Sequence, residues 1–242
     1  MKYSLDILDW RAIAPGINDA SQWVTWAAKN AALPVSDELA KSQRIPMMTA
    51  RRMSPASRLA VEISLDIIDH HCVDMAIFTS RHGELERTYK ILQSLAEGSD
   101  ISPTDFSMSV HNTAAGWVTI AGKKVFPVTS LAAGEDSFQQ GLLDAVAALN
   151  TCAQHVLFVD FDGTIPTAYT QNRPQLPAPY AVAFLLAKGK QLTFERLSGP
   201  DNNPLSMLPQ SLQFLREWLN NKSAFRVDAA THHWQWTTLR DE

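Results

Sequence analysis

The segment around residues 125–149 has the layout of a nucleophile elbow, in which a strand passes through a tight turn into a helix. Thr129-Ser-Leu131-Ala-Ala-Gly134 joins an apolar stretch to an amphipathic one through small residues. Such a turn presents its apex side chain at a helix N-terminus, where a cysteine or serine can act as a nucleophile. Here the apex is Leu131, which cannot attack a substrate, and Ser137 follows a turn later with no assigned base. The pattern predicts an elbow without its nucleophile.

A second chemically capable group follows the apolar run at residues 156–159. Asp160-Phe-Asp162-Gly-Thr164 resembles the first motif of haloacid-dehalogenase-type phosphatases, in which the first aspartate is the nucleophile, the second is the acid/base, and both help to hold Mg²⁺. In those enzymes the motif opens a long chain, whereas only 78 of the 242 residues follow Thr164 and no later Gly-Asp or Asp-Asp pair completes the site. A turn that uses Asp and Gly for their backbone preferences is the simpler interpretation. A Mg²⁺-dependent phosphatase stays open as the alternative function.

Three further patterns are weaker. His70-His-Cys72-Val-Asp74 combines zinc-ligand types, but adjacent residues point in different directions and no second ligand pair has metal-site spacing. We interpret its histidines as the polar end of a helix, where they suit the helix dipole. His232 and His233, set among aromatic residues, give no better metal site. Neither a GxxxxGKS/T nor a GxGxxG phosphate loop occurs, so we predict no metal and no cofactor.

Along the chain, short apolar runs alternate with amphipathic segments, which is typical of an α/β protein. Ser54 and Pro55 form a helix start, and Gly98 a helix stop. Gly189 is predicted to turn a hairpin with an antiparallel edge. The predicted strands are residues 3–10, 75–79, 125–129, 155–160 (central in a parallel sheet), 180–187, 191–197 and 225–239. The predicted helices are residues 55–70, 84–97, 113–120, 134–149 and 208–219, and residues 15–50 are predicted to be irregular.

The composition excludes several classes of protein. The 242 residues are 45% apolar and carry a formal net charge of −4, so the chain can bury a core but lacks the basic footprint of a nucleic-acid binder. No run approaches the roughly 18 to 20 apolar residues of a membrane span, and the first residues lack a signal-peptide core. Cys72 and Cys152 make no disulfide framework. We therefore expect a cytoplasmic protein.

The elbow has a recognisable context. Ile101-Ser-Pro-Thr-Asp-Phe-Ser-Met-Ser-Val-His-Asn-Thr-Ala-Ala-Gly116, the elbow and residues 155–166 together resemble the N-terminal half of a β-ketoacyl synthase. That family has an SP…N…AG segment, a strand, a Thr-Ala-Cys-Ala-Ser-Gly-like elbow and a buried strand, and Leu131 occupies the cysteine position. Residues 80–87 and 107–116 are similar to one branch, the short chain-length factors of bacterial aryl-polyene type II polyketide clusters. The resemblance covers about residues 45–187 and is weak beyond residue 190.

The resemblance implies one thiolase-like half: an α/β domain over residues 1–242 with a mixed sheet and helices on both faces, in which residues 198–242 are a less certain C-terminal extension. A working ketosynthase has two such halves and takes its catalytic histidines from the second. Without the elbow cysteine and that half, the chain is expected not to be an enzyme by itself. The implied function is a chain-length-factor subunit that heterodimerises with a full-length β-ketoacyl-ACP synthase, shapes its acyl tunnel and meets acyl carrier protein through the complex. A stand-alone carrier-protein-binding or thioesterase-like scaffold is a third possibility.

The same resemblance implies site residues. Ketosynthases dimerise through the strand before the elbow, and an interface strand leaves an edge that would be an aggregation hazard in a monomer. Ordinary core packing of Val110 and Phe126, and a satisfied buried His111, are the alternatives. The implied dimer-interface residues are Asn112, Val125, Phe126, Val128 and Thr129. The residues implied to line the partner's pocket are Ser109, Val110 and His111.

Overall fold

The computed structural model describes residues 1–34, 36, 38–39, 41–170, 178–198, 208–229 and 232–239. Within these residues one mixed sheet has the strand order β3-β2-β4-β5-β7-β6, and β1 pairs with β5. The strands are β1 (Lys2–Ile13), β2 (Met75–Thr79), β3 (Val128–Leu131), β4 (His155–Asp162), β5 (Tyr180–Ser198), β6 (Ala224–Asp228) and β7 (His232–Thr238). The helices are α1 (Ala20–Ala28), α2 (Met47–Ala50), α3 (Pro55–His70), α4 (Leu85–Ala96), α5 (Pro103–Ser107), α6 (Thr113–Gly122), α7 (Ser137–Thr151) and α8 (Gln210–Leu219).

Strand β4 is central, but the prediction of a parallel sheet around it was wrong on one side. It pairs in parallel with β2 and antiparallel with β5. Its side chains alternate between two cores: Val156 and Phe158 face one, and Leu157 and Val159 face the other. Burial on both faces therefore explains its apolar sequence as well as a parallel sheet would.

Helices cover both faces of the sheet, as predicted. The first core contains apolar residues of α1, α7 and α8, including Trp23, Phe138 and Phe214. The second contains those of α3 and α6, including Leu59 and Val118. The predicted class, an α/β fold with a mixed sheet and helices on both faces, is confirmed. Within the described residues no helix is long and apolar enough to cross a membrane.

Local signals fix several helix ends. The Ser54 hydroxyl accepts a hydrogen bond from the Ser57 N–H, and Pro55 opens α3, as predicted. Gly98 follows α4 with a φ of +67°. Helix α1 was missed in the stretch predicted to be irregular, although Asp19 and Gln22 close a capping box at its start.

Two strand predictions near the elbow and the C-terminus were wrong. Strand β3 begins at Val128 and not at Val125, because Pro127 has no N–H to pair; Val125 is fully exposed and, like Phe126, lies before the strand. The single last strand predicted at residues 225–239 is instead the antiparallel pair β6 and β7. The loops predicted at residues 164–179 and 198–204 lie partly outside the described residues.

The predicted hairpin around Gly189 is one continuous strand. β1 pairs with both halves of β5, β4 with the first half and β7 with the second. The register between β1 and β5 slips at residues 188–191, where the Gln191 N–H donates to Asp6 Oδ1 at 2.8 Å. A Cβ on Gly189 would clash with the carboxylate of Asp6. The glycine therefore leaves room for the Asp6 side chain and is not needed for a turn.

Candidate functional site

The residues singled out for chemistry lie where the parallel strands end. The carboxyl ends of β2, β3 and β4 meet at one edge of the sheet, followed by the loops at residues 80–84, 132–136 and 163–166. In open α/β sheets this edge carries the ligand site. The elbow and the Asp-x-Asp motif, which are separate in the sequence, therefore belong to one region.

The segment predicted to be an elbow joins β3 to α7 through a turn, and the Ser137 hydroxyl in it has a structural role. Leu131 ends β3 and is half-buried, and Gly134 turns the chain with a φ of +63° into a short 3-10 helix, Gly134–Asp136, before α7. The Ser137 hydroxyl accepts the Ala133 N–H at 2.9 Å and donates to the Gly134 carbonyl at 2.7 Å. Ser137 therefore braces the turn and does not face a substrate.

Asp136, which sequence reasoning missed, ties the elbow to the C-terminal elements. Its carboxylate accepts from Gln210 Nε2 and Trp234 Nε1 at 2.8 Å and from Gln140 Nε2 at 2.7 Å. His232 Nε2 lies 3.3 Å from Asp136 Oδ2. Except for Gln140, these partners are more than seventy residues away, so no local pattern could have identified Asp136.

Asp160 lies at the centre of a ring of hydroxyl groups. Its carboxylate accepts from Thr79 Oγ1 at 2.6 Å, Tyr180 Oη at 3.0 Å and Ser211 Oγ at 2.5 Å. Burial raises the pKa of Asp160 to about 6, and the charge of Asp162 adds to the rise, whereas the three hydroxyl groups oppose it. The residue thus joins β2, β4, β5 and α8 in the interior.

Asp162 faces the loop that follows β2. It accepts from Ser80 Oγ at 2.7 Å and from the backbone N–H groups of Arg81 and His82 at 3.1 and 2.9 Å. Burial raises its pKa, although these donors oppose the rise. Because Asp160 and Asp162 are 4% and 8% exposed, neither presents an open carboxylate to a phosphate ester. The simpler interpretation of the motif, a strand end held by its own hydrogen bonds, fits the geometry.

The loop after β2 is held from a second side by His111. The His111 Nε2–H donates to the Ser80 carbonyl at 3.0 Å, and a Cβ on Gly83 would lie 2.9 Å from the His111 ring. Next in the loop, Glu84 is buried and accepts from the Ser54 hydroxyl at 2.9 Å. Burial, together with the charge of Arg81, lowers the pKa of the half-buried His82. The loop is therefore a fixed element of the site.

The segment expected to line a partner's pocket stands beside this loop. Val110 is 50% exposed, whereas Ser109 and His111 are half-buried. Asn112 is exposed at the start of α6 and makes no side-chain cap there. The structure thus places Ser109, Val110 and His111 at the same end of the sheet as the elbow, at a surface and not in the core.

Three features of this region leave a strand edge or apolar side chains uncovered within the described residues. Strand β3 pairs with β2 only, so its other edge is unpaired. Helix α4 is amphipathic, yet none of its twelve residues is buried, and Leu92 and Leu95 are about half exposed. Phe106 on α5 is 67% exposed. Exposed apolar groups of this number are typical of an interaction surface.

The residues around His70 hold the opposite edge of the sheet. The His71 ring lies 2.8 Å from the Asp9 carboxylate, and Asp74 accepts the backbone N–H groups of Gln154 and His155. No group of three or more metal-ligating side chains occurs within the described residues. Cys72 and Cys152 are free and exposed at this edge.

Comparison with known proteins identifies the class of this fold and site. A family model described as the β-ketoacyl synthase N-terminal domain matches residues 23–237. The chain belongs to this β-ketoacyl synthase family. No curated protein sequence matches significantly.

Solved structures agree with this assignment. A chain of the complex between the ketosynthase ApeO and its chain length factor ApeC from Xenorhabdus doucetiae is 46% identical, with a TM-score of 0.91; the match covers 97% of this chain and 99% of that one. The ishigamide ketosynthase/chain length factor is 16% identical over 81% of this chain and 67% of its own, with a TM-score of 0.66. The ketosynthase from module 6 of the Bacillus subtilis bacillaene synthase is 12% identical, with a TM-score of 0.55, over 84% of this chain but only 42% of its own. The last two support the fold alone.

Proposed function

We propose that this chain is a non-catalytic chain-length-factor subunit that pairs with a full-length β-ketoacyl-ACP synthase and shapes its acyl tunnel in aryl-polyene biosynthesis. The observation that carries the proposal is the match of 46% identity over essentially the whole of a chain from a ketosynthase–chain length factor complex. By contrast, the chain spans less than half of the bacillaene ketosynthases that it resembles. A relative of equal length, found in such a complex, supports the role of the smaller subunit.

The elbow supports the non-catalytic part of the proposal. Its apex is Leu131, and the first hydroxyl after the turn, on Ser137, is committed to the turn. The two thiols of the chain cannot stand in, because Cys72 and Cys152 precede β2 and β4 and so lie at the other edge of the sheet. Acyl transfer needs a nucleophile with a base beside it, and the described elbow offers neither.

The unpaired edge of β3 supports the pairing. An exposed strand edge readily takes up another strand, which is a hazard unless a partner covers it. The strand in this segment is Val128–Leu131. The proposal therefore keeps Val128 and Thr129 as interface residues, whereas Val125 and Phe126 flank the strand. The exposed Val110 and its neighbours Ser109 and His111 would then reach the partner's acyl pocket, with Asn112 at the interface.

A proline substitution at the edge of β3 tests the pairing. The Pro127 carbonyl accepts the Ala76 N–H of β2, and the Leu131 carbonyl accepts the Ser80 N–H. Because successive residues of a strand face opposite sides, the N–H of Ser130 points away from β2 to the free edge. Ser130→Pro should remove an intermolecular hydrogen bond and add a steric clash while leaving the pairing with β2 in place. We expect roughly tenfold weaker binding, or worse, to the ketosynthase encoded beside this chain, measured by biolayer interferometry.

Ser130→Ala is the matched control, because it keeps the N–H and removes only a hydroxyl that has no hydrogen-bond partner among the described residues. It should bind like the wild type. Equal binding by the proline variant and the wild type would contradict the proposed interface.

A further inference from the structure

We propose that Asp162 is a positioning residue, which sets the place of His111 and Val110 at the tunnel-lining surface through the loop at residues 80–83. This inference rests on the proposed function. It assigns a role to Asp162 of the Asp-x-Asp motif, which is part of neither the predicted elbow nor the proposed interface strand.

The first step is from Asp162 to the loop. One buried carboxylate accepts three hydrogen bonds from three successive residues, Ser80, Arg81 and His82. Ser80 Oγ also accepts the Gly83 N–H at 2.7 Å, which closes the loop on itself. A carboxylate that accepts both backbone and side-chain donors in the interior is a rigid anchor, because each lost bond leaves a buried donor unsatisfied.

The second step is from the loop to His111. The Ser80 carbonyl accepts the His111 Nε2–H at 3.0 Å, so the position of Ser80 fixes the distance of the His111 ring from the loop. Gly83 fixes its lateral position, because the ring packs so closely that a Cβ there would approach within 2.9 Å. A shift of the loop must therefore move the His111 ring.

The third step is from His111 to Val110, the next residue along the chain. The Val110 carbonyl is held from the other side by the Thr113 N–H at 3.1 Å and Thr113 Oγ1 at 2.8 Å. The half-exposed Val110 side chain is thus placed between two fixed points, the start of α6 and the His111 ring. Side chains that line a binding surface act with precision only when a second layer of contacts locks them.

Asp160 provides a matched control. It lies two residues before Asp162 on the same strand and is equally buried, but its donors are Thr79, Tyr180 and Ser211. None of these three lies in the loop at residues 80–83. A change at Asp160 therefore disturbs the interior without acting directly on His111.

The experiment compares Asp162→Asn with Asp160→Asn by two measurements. The first is the ¹H–¹³C resonance of the His111 ring in the full chain labelled at histidine. The second is the product-length distribution made by the complex with the ketosynthase encoded beside it. We expect Asp162→Asn to move the His111 resonance and shift the product distribution, and Asp160→Asn to leave both as in the wild type.

Gly83→Ala is a second variant, which pushes directly on the His111 ring and should shift the same resonance and the same distribution if Asp162→Asn does not fold. An unmoved His111 resonance in the folded variant, or an unchanged product distribution despite a moved resonance, would overturn the inference while leaving the proposed function intact. Failure of the wild-type chain to form any complex would instead overturn the proposed function, and the resonance would still decide whether Asp162 positions His111.

Discussion

Asp160 and Asp162 show how a pair of aspartates can suggest one chemistry in the sequence and have a structural role in the fold. Their spacing after an apolar strand resembles a phosphatase motif, yet their oxygens are occupied by donors from β2, β5, α8 and the loop after β2. Those donors are at least twenty residues away in the chain. The carboxylates could be identified from the sequence, whereas their burial and partners depend on the tertiary fold.

The buried Asp160 carboxyl predicts a specific pH dependence of stability. Its pKa is raised from an ordinary value of 3.8 to about 6, so the folded state binds the proton more tightly than the unfolded state. Its contribution to stability is therefore full below about pH 4 and is lost as the pH rises through 6. Relative to Asp160→Asn, the wild type should lose up to about 3 kcal/mol of unfolding free energy between pH 4 and pH 7, measured by urea denaturation.

Asp9→Asn supplies the control of opposite sign. Burial raises the Asp9 pKa, but hydrogen bonds from Arg11 and His71 outweigh it, so the pKa is lowered overall. The wild type should therefore lose stability relative to Asp9→Asn as the pH falls through the acid range. A pH-independent difference between the wild type and Asp160→Asn would contradict the buried, proton-binding carboxylate.

Elements with strong local signals could be predicted from the sequence, and elements defined by distant contacts could not. The Ser54-Pro55 start of α3, the apolar run of β2 and the Gly98 stop of α4 are local, and each prediction is confirmed. The prediction of a hairpin was wrong because Gly189 accommodates the side chain of Asp6, which lies near the other end of the chain. The turn between β3 and α7 could be predicted, whereas the hydrogen bond from Trp234 to Asp136 in that turn could not.

The contact between Gly189 and Asp6 predicts an asymmetric pair of glycine substitutions. Gly189→Ala must displace the Asp6 carboxylate and break its hydrogen bond with the Gln191 N–H, and should lower the unfolding free energy by roughly 0.5–1.5 kcal/mol. Gly116→Ala, in α6 with nothing within 4 Å of its Cβ, should raise it by roughly 0.5–1 kcal/mol through helix propensity. Urea denaturation of the purified chain measures both, and an unaffected Gly189→Ala variant would refute the close approach.

The whole molecule combines a well-packed interior with uncovered surfaces at one end of the sheet. Two cores and a continuous mixed sheet hold the chain together, and Asp136 ties the C-terminal strands to the elbow. The β3 edge lacks a neighbour within the described strands, and α4 and α5 expose apolar side chains. A protein with these properties is expected to work as one part of a complex.

The proposed pairing is tested most directly by co-expression of the chain with the ketosynthase encoded beside it, followed by size-exclusion chromatography with light scattering. We expect a single species in which one chain of 26.8 kDa accompanies each ketosynthase chain. Elution of this chain as a 26.8 kDa monomer, separate from a ketosynthase that assembles only with itself, would contradict the pairing.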